Sequence, residues 1–215
     1  MFKYTSIKHS YLWYLIGYIT ADGNLSKDGR HIDITSKDLD HLRLIKENLR
    51  ISNKIGKKHR DKNKTKTYYN LQIGNTKFYR YLLSLGLKPK KSLNLESINV
   101  ESKYFNDFLR GVIDGDGNIS KWVHKSNLNI QWCLRIYSAS YIFLNWVGSE
   151  IDNKFYIKGK MYINKRDSSP IYILKYGKKS ARIILNTIYY NNSLALARKR
   201  NLALECLQLE PKMLK

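Results

Sequence analysis

Two stretches of this chain, LIGYITADGNLSK at 15–27 and LRGVIDGDGNISK at 109–121, agree at 8 of 13 positions and lie 94 residues apart. Agreement on that scale marks an internal repeat, so the chain is expected to be two copies of one structural unit. The echo continues beyond the quoted stretches. ITSKDLDHL from Ile34 resembles IYSASYIFL from Ile136, and YNLQIGNTKFYRYLL from Tyr69 resembles YILKYGKKSARIILN from Tyr172. The offset grows from 94 to 102 and then 103, which places an insertion in the first connecting loop of the second half.

Hydrophobic periodicity gives each half the order helix, strands, helix, strands, helix. Leu12, Leu15, Ile16 and Ile19 fall at helical spacing, as do Phe105, Phe108, Leu109 and Val112, so both leading helices read as amphipathic. Period-two alternation follows. Ile32 and Ile34 alternate with His31, Asp33 and Thr35, and Tyr69, Leu71 and Ile73 alternate with Tyr68, Asn70 and Gln72. In the second half Leu128, Ile130, Trp132, Leu134 and Ile136 alternate with Asn127, Asn129, Gln131, Cys133 and Arg135, giving one core face and one polar face. Helical spacing returns at Phe78, Tyr81, Leu82 and Leu85, ending at Gly86, and at Ala181, Ile184, Leu185 and Ile188. The expected class is α+β with antiparallel sheets. Pro89 and the polar run after it mark a linker, so the divisions expected are a first repeat at 1–87, a linker at 88–102 and a second repeat at 103–215. Trp132 and Trp146 are expected in the cores.

Composition narrows the partners. With 39 Lys and Arg against 17 Asp and Glu, the formal net charge is +22, an excess that favours a polyanion. Cys133 and Cys206 are too few for a disulfide framework and lack zinc spacing, which fits a reducing, intracellular compartment. The five histidines show no paired metal-ligand spacing. The amino-terminal apolar run is too short for a spanning helix or signal peptide, so no membrane partner is expected. Abundant Lys, Asn, Ile and Tyr suit an AT-rich genome, leaving an organelle and a microbial cytoplasm both open.

The repeated motif has a chemical reading. Gly17 with Ala21, and Gly111 with Gly115, stand four apart and make a flat stripe on which another helix backbone can approach. If the two helices pair through these stripes, Asp22 and Asp116 emerge together at helix carboxyl ends. Two carboxylates repel each other there and add to the partial negative charge of the helix ends, so a cation is needed. Oxygen-only ligands select a hard divalent ion such as Mg²⁺. A single Asp-Gly after a helix is an ordinary turn. Two in register after matched stripes favour a catalytic reading, metal-assisted attack on phosphodiesters.

LIGYITADG and LRGVIDGDG resemble the two copies of the motif that defines the LAGLIDADG homing endonucleases, and LGLKPKKSL and ARKRN extend the likeness over nearly the whole chain. The resemblance implies a single-chain, metal-dependent endonuclease that cuts both strands of double-stranded DNA at a long asymmetric site. It implies two αββαββα repeats related by a pseudo-twofold axis, with antiparallel sheets forming a DNA-binding saddle. It assigns catalysis and metal binding to Asp22 and Asp116, with the carbonyls of Ala21 and Gly115 completing the metal shell. Thr20 departs from the usual acidic residue that its partner Asp114 keeps. That position is structural in the family. Gln72 and Lys175 are matched in the repeats. Lys175 either stabilises the pentavalent phosphate or only touches backbone phosphate, with Lys178 and Lys179 as alternatives. Ser36 and Ser138 either order water or cap the next helix.

For DNA contact the polar strand faces supply His31, Asp33, Thr35, Asn70 and Gln72 from the first half and Asn127, Asn129, Gln131 and Arg135 from the second. The basic hairpins KKHRDKNKTK at 57–66 and KGKMYINKR at 158–166 supply Lys58, Arg60, Lys62, Lys64, Lys158, Lys160, Asn164 and Arg166, with Tyr68 and Tyr162 beside them. Lys27 and Lys121 follow each motif and are either DNA contacts or solvated hairpin charges. A monomer is expected because both repeats lie in one chain. The rival reading is a protein of the same fold that does not cleave, either an intron maturase that binds intron RNA or a DNA-binding regulator. Retention of both acidic residues favours the nuclease.

Overall fold

The computed structural model describes residues 3–59, 67–89, 93–165 and 170–208. The first repeat runs α1 (His9–Asp22), β1 (Gly23–Leu25), β2 (His31–Ser36), α2 (Leu39–Asn48), β3 (Ile55–His59), β4 (Thr67–Gly74) and α3 (Thr76–Ser84). The second runs α4 (Phe105–Asp116), β5 (Gly117–Val123), β6 (Ile130–Ser138), α5 (Tyr141–Phe155), β7 (Lys160–Asn164), β8 (Ile171–Gly177), α6 (Lys178–Ile188) and α7 (Ala197–Gln208). The described residues thus form seven helices, apart from two short 3₁₀ turns, and two four-stranded antiparallel sheets, ordered β1-β2-β4-β3 and β5-β6-β8-β7. The class is α+β, and the order αββαββα holds in both repeats.

The registers are equivalent. Gly23 pairs with Ile34 and Ile34 with Leu71 in the first sheet, while Gly117 pairs with Ile136 and Ile136 with Leu174 in the second. The insertion sits where the growing offset put it. β5 and β6 prolong their hairpin to Val123 and Ile130, whereas β1 ends at Leu25.

The chain forms two compact units, Met1–Gly115 and Asp116–Lys215. The first takes in the body of α4, because α4 packs on α1. Both helices are buried on nearly every side rather than amphipathic: Leu12 to Thr20 is an unbroken buried run in α1, and Asp107 to Asp114 is one in α4. Helical spacing located the apolar stripe but missed Trp13, Tyr14 and Tyr18, all buried as well. In this unit Ile32, Ile34, Leu71 and Ile73 face the core beneath α2 and α3. The segment after α3 is pinned rather than loose. Gly86 adopts φ +106, where a side chain is strained, and Leu87, Leu95 and Ile98 are buried.

In the second unit Trp132, Leu134, Ile136, Leu174 and Tyr176 make the buried sheet face, covered by α5 and α6. Ala181, Ile184, Leu185 and Ile188 of α6 are buried as their spacing predicts. Four expectations change here. Leu128 is not a core residue: at φ +53 and 75% exposure it sits in the β5–β6 turn, and Asn127 and Asn129 lie in that connection rather than on a strand. The turn closes through Leu128 N–H to His124 O at 2.9 Å and Asn129 N–H to Asn127 Oδ1 at 3.1 Å. Cys133, on the polar face by parity, is nonetheless buried, and burial raises its thiol pKa. Trp146 is half-buried, while Trp13 is the core tryptophan of the first unit at 2% exposure. Neither Ser36 nor Ser138 caps a helix. Each hydroxyl accepts from the N–H two residues on, Asp38 at 3.1 Å and Ser140 at 3.0 Å, and those residues are the N-caps of α2 and α5.

A buried polar network crosses the first unit. The Tyr14 hydroxyl donates to Asp114 Oδ2 at 2.8 Å and meets His41 Nε2 at 3.0 Å. The fully buried Arg110 guanidinium pairs with Asp107 at 2.7 Å and lies 5.2 Å from the centre of the Tyr14 ring. His41, one of the histidines without a sequence signal, is therefore structural. Tyr14→Phe removes the donor to a buried carboxylate and is expected to destabilise the chain by about 1–3 kcal/mol. Urea unfolding of the variant measures this, and an unchanged midpoint contradicts it.

Candidate functional site

The matched stripes let α1 and α4 approach backbone to backbone. A Cβ on Gly17 would lie 2.0 Å from Phe108 O, one on Gly111 2.1 Å from Tyr14 O, and one on Gly115 2.4 Å from the Ala21 Cβ. No side chain fits at those distances, so only glycine allows the crossing. The seam reaches the carboxyl ends of the helices, since Ala21 and Gly115 are in contact. Asp22 is the last residue of α1 and exposed, and Asp116 is the last of α4 and partly exposed.

The neighbours of these carboxylates differ between the repeats. Thr20 turns its hydroxyl back to Ile16 O at 2.8 Å, while its counterpart Asp114 is buried and held by Tyr14. Neither side chain points to solvent, which supports a packing role for that position. Tyr18 lies one turn before Asp22. Burial first, and then the charge of Asp22, hold its hydroxyl well above the ordinary tyrosine pKa, so it stays protonated and donates to Ser36 Oγ at 3.4 Å. Ser36 is thus tied to the helix as well as to its own turn.

Among the described residues no group of three or more His, Cys, Asp and Glu could hold a metal ion. A carboxylate at the end of either helix would therefore need main-chain carbonyls or further donors beside it to hold a metal. Such a donor set is all oxygen and fits a hard divalent cation, whose charge offsets that of the helix ends.

The outward faces of the two sheets carry the other candidates. On the first sheet Asp33 pairs across the ladder with Asn24 and Gln72, and Thr35 with Asn70. Asp33 accepts from Ser26 Oγ at 3.2 Å, Asn70 Nδ2 at 3.3 Å and Gln72 Nε2 at 3.0 Å, and Thr35 donates to Asn70 Oδ1 at 3.1 Å. Lys58 stands opposite Tyr68, on the same side. Lys27 is exposed in the β1–β2 turn, and His31 is held by Asp28 through its ring and backbone N–H. Those contacts, the backbone one first, keep Asp28 well below the usual carboxylate range.

On the second sheet one line across the ladder runs Asn118, Arg135, Lys175, Lys160. Arg135 donates to Ser120 Oγ at 2.8 Å, and the Lys175 ammonium lies 5.6 Å from the centre of the Tyr162 ring. Gln131 pairs with Trp122, Asn164 with Ile171, and Lys158 is exposed just before β7. Lys121 is not a free hairpin charge: it pairs with Glu205 of α7 and lies 5.7 Å from the centre of the Trp132 ring. Lys178 and Lys179 open α6. Arg60, Lys62, Lys64 and Arg166 lie outside the described residues. Sequence reading missed Asn118, Ser120 and Trp122, which reach the second face only through the register, and Ser26, which reaches the first through its bond to Asp33.

Residues 10–86 match the family model of the LAGLIDADG-like domain. Over both repeats the chain has the fold of two-repeat homing endonucleases. Among solved structures it resembles the homing endonuclease I-WcaI bound to its DNA recognition sequence, with TM-score 0.64 at 14% identity over 92% of this chain and 87% of that one. It also resembles I-DmoI in complex with DNA and Mn, with TM-score 0.55 at 16% identity over 85% and 98%. Full-length DUF199/WhiA from Thermatoga maritima matches with TM-score 0.57 at 17% identity over 91% of this chain, which spans 60% of that protein. No curated protein matches the sequence. Among the described residues no helix is long and apolar enough to cross a membrane.

Proposed function

We propose that the chain is a site-specific endonuclease that cuts both strands of double-stranded DNA with Asp22 and Asp116. One observation carries this reading: the two copies of the motif run backbone against backbone as far as Ala21 and Gly115, the residues directly before the two carboxylates. A fold that only needed two helices to pack would gain nothing from ending both on an acidic residue, where the helix dipole disfavours it. Asp22 and Asp116 hold a divalent cation, Mg²⁺, with the carbonyls of Ala21 and Gly115 as further donors. A cation held there would supply Lewis acidity toward the phosphodiester and a more acidic water. Lys175 supplies positive charge to the phosphate, and the outward strand faces contact base edges. The similar structures of I-WcaI bound to its DNA recognition sequence and of I-DmoI in complex with DNA and Mn support this reading.

The test is incubation of the protein with a randomised DNA duplex library in Mg²⁺, followed by sequencing of the cut ends. Cuts gathered at one long asymmetric sequence, and none in EDTA, are expected. Binding to DNA without cuts in any divalent cation would favour the second reading, a DNA-binding protein that does not cleave. The likeness to DUF199/WhiA is the observation behind that alternative. Because both motif copies lie in one chain, light scattering of the complex is expected to find one protein chain per DNA site. Two chains per site would contradict the monomer.

A further inference from the structure

The two sheets present opposite charge at equivalent positions. Asn24 and Asn118 come from the same place in the repeated motif, and each begins a line across the outward face of its own sheet. In the first sheet the line continues through Asp33 to Gln72, and in the second through Arg135 to Lys175 and Lys160. Over Asn24, Asp33 and Gln72 the first line has one anion and no cation. The second has three cations. An anion on a surface meant for phosphates weakens binding unless something else in the ligand recognises it. Asp33 is also built into place: its carboxylate holds Ser26, Asn70 and Gln72, three neutral donors.

From this we infer that Asp33 and Arg135 are specificity-determining residues of opposite sign, Asp33 selecting the amino edge of a cytosine and Arg135 the acceptor edge of a guanine. The inference rests on the proposed reading of the strand faces as the DNA-contacting surface. Base chemistry makes the choice. Cytosine offers an amino donor in the major groove and no acceptor, which suits a carboxylate. Adenine sets an acceptor beside its donor and would repel one oxygen of Asp33, and guanine and thymine offer no donor at all. The second carboxylate oxygen, Oδ2, accepts only from Ser26 among the described side chains and so has a lone pair for that amino group. Arg135, steadied by Ser120, presents the planar fork that matches guanine O6 and N7.

The test is binding selection from a randomised duplex pool in EDTA, so that no cutting intervenes, with wild type, Asp33→Asn and Arg135→Gln, followed by affinities on single-base variants of the selected site. Wild type is expected to select a cytosine at one base pair and a guanine at another. Asn and Gln can both pair with adenine, so each variant is expected to shift preference toward adenine at its own base pair alone, by about tenfold. A merely structural Asp33 gives a different result: Asp33→Asn then removes a negative charge, tightens binding to every sequence alike and leaves base preference unchanged. That outcome overturns the inference while leaving site-specific binding intact. A wild-type protein that selects no sequence overturns the inference together with the reading beneath it.

Discussion

Asp22→Asn and Asp116→Asn are each expected to abolish double-strand cleavage, lowering it by at least about a hundredfold, while DNA affinity changes little. The expectation follows from the separation of the two tasks in the chain. Affinity is expected to follow the chain's formal charge of +22, to which one carboxylate at a helix end contributes little. Cleavage depends on a site with few donors. Among the described residues no group of three His, Cys, Asp or Glu could hold a metal ion, and asparagine keeps the shape while removing the charge. Gel analysis of plasmid cutting in Mg²⁺, with affinity measured in parallel, checks both halves. Retained double-strand cutting by either variant removes that residue from the active site. A clean nickase is not expected, since on the proposed reading both carboxylates hold the same cation.

The seam and the topology were legible for one reason: duplication. A motif repeated in register told that Gly17 and Gly111 do the same work, and small residues four apart have few uses except close approach. Alternation in β2 and β4 was equally plain, because one side of each sheet faces water. Other features depended on contacts between residues far apart in the chain. Leu128 continued the alternation of Trp132 and Leu134 beyond the end of the strand, and parity alone does not say where pairing stops. Trp13, Tyr14 and Tyr18 lie off the apolar stripe of α1, yet α4, α2 and the first sheet surround that helix, so its polar-tipped aromatics are buried too.

The candidate site divides along the same line. Asp22 and Asp116 stand out because the motif carries them twice. The bonds of Asp33 to Ser26, Asn70 and Gln72, and the pairing of Lys121 with Glu205, become visible only once strands and helices are placed. Read singly, Asp33 was one polar residue among several on a strand. In place, it is the one anion in the row opposite in kind to Arg135, Lys175 and Lys160.

Gly17→Ala and Gly111→Ala are each expected to cost about 3 kcal/mol or more, near the upper end of overpacking changes. Helix propensity predicts the opposite sign. Alanine is favoured over glycine in a helix interior by about 1 kcal/mol, so at an open position either change would stabilise. The geometry of the seam decides between the two effects. The added methyl would stand 2.0 Å from Phe108 O in one case and 2.1 Å from Tyr14 O in the other, and both obstacles are backbone, which cannot rotate aside. Relief therefore requires the helices to separate along their length, losing the packing of Ala21 on Gly115 and straining the Tyr14–Asp114 bond. Against a typical stability of about 5–15 kcal/mol, a loss of this size is a large fraction. Gly177→Ala is the control: a Cβ there meets nothing within 4 Å, and the change is expected to cost only about 1 kcal/mol, because alanine caps α6 less well than glycine. Urea denaturation of the three variants reads the difference. If Gly17→Ala and Gly111→Ala unfold at or above the wild-type midpoint, the helices are not in backbone contact, and the argument that brings Asp22 and Asp116 together through that seam fails with them.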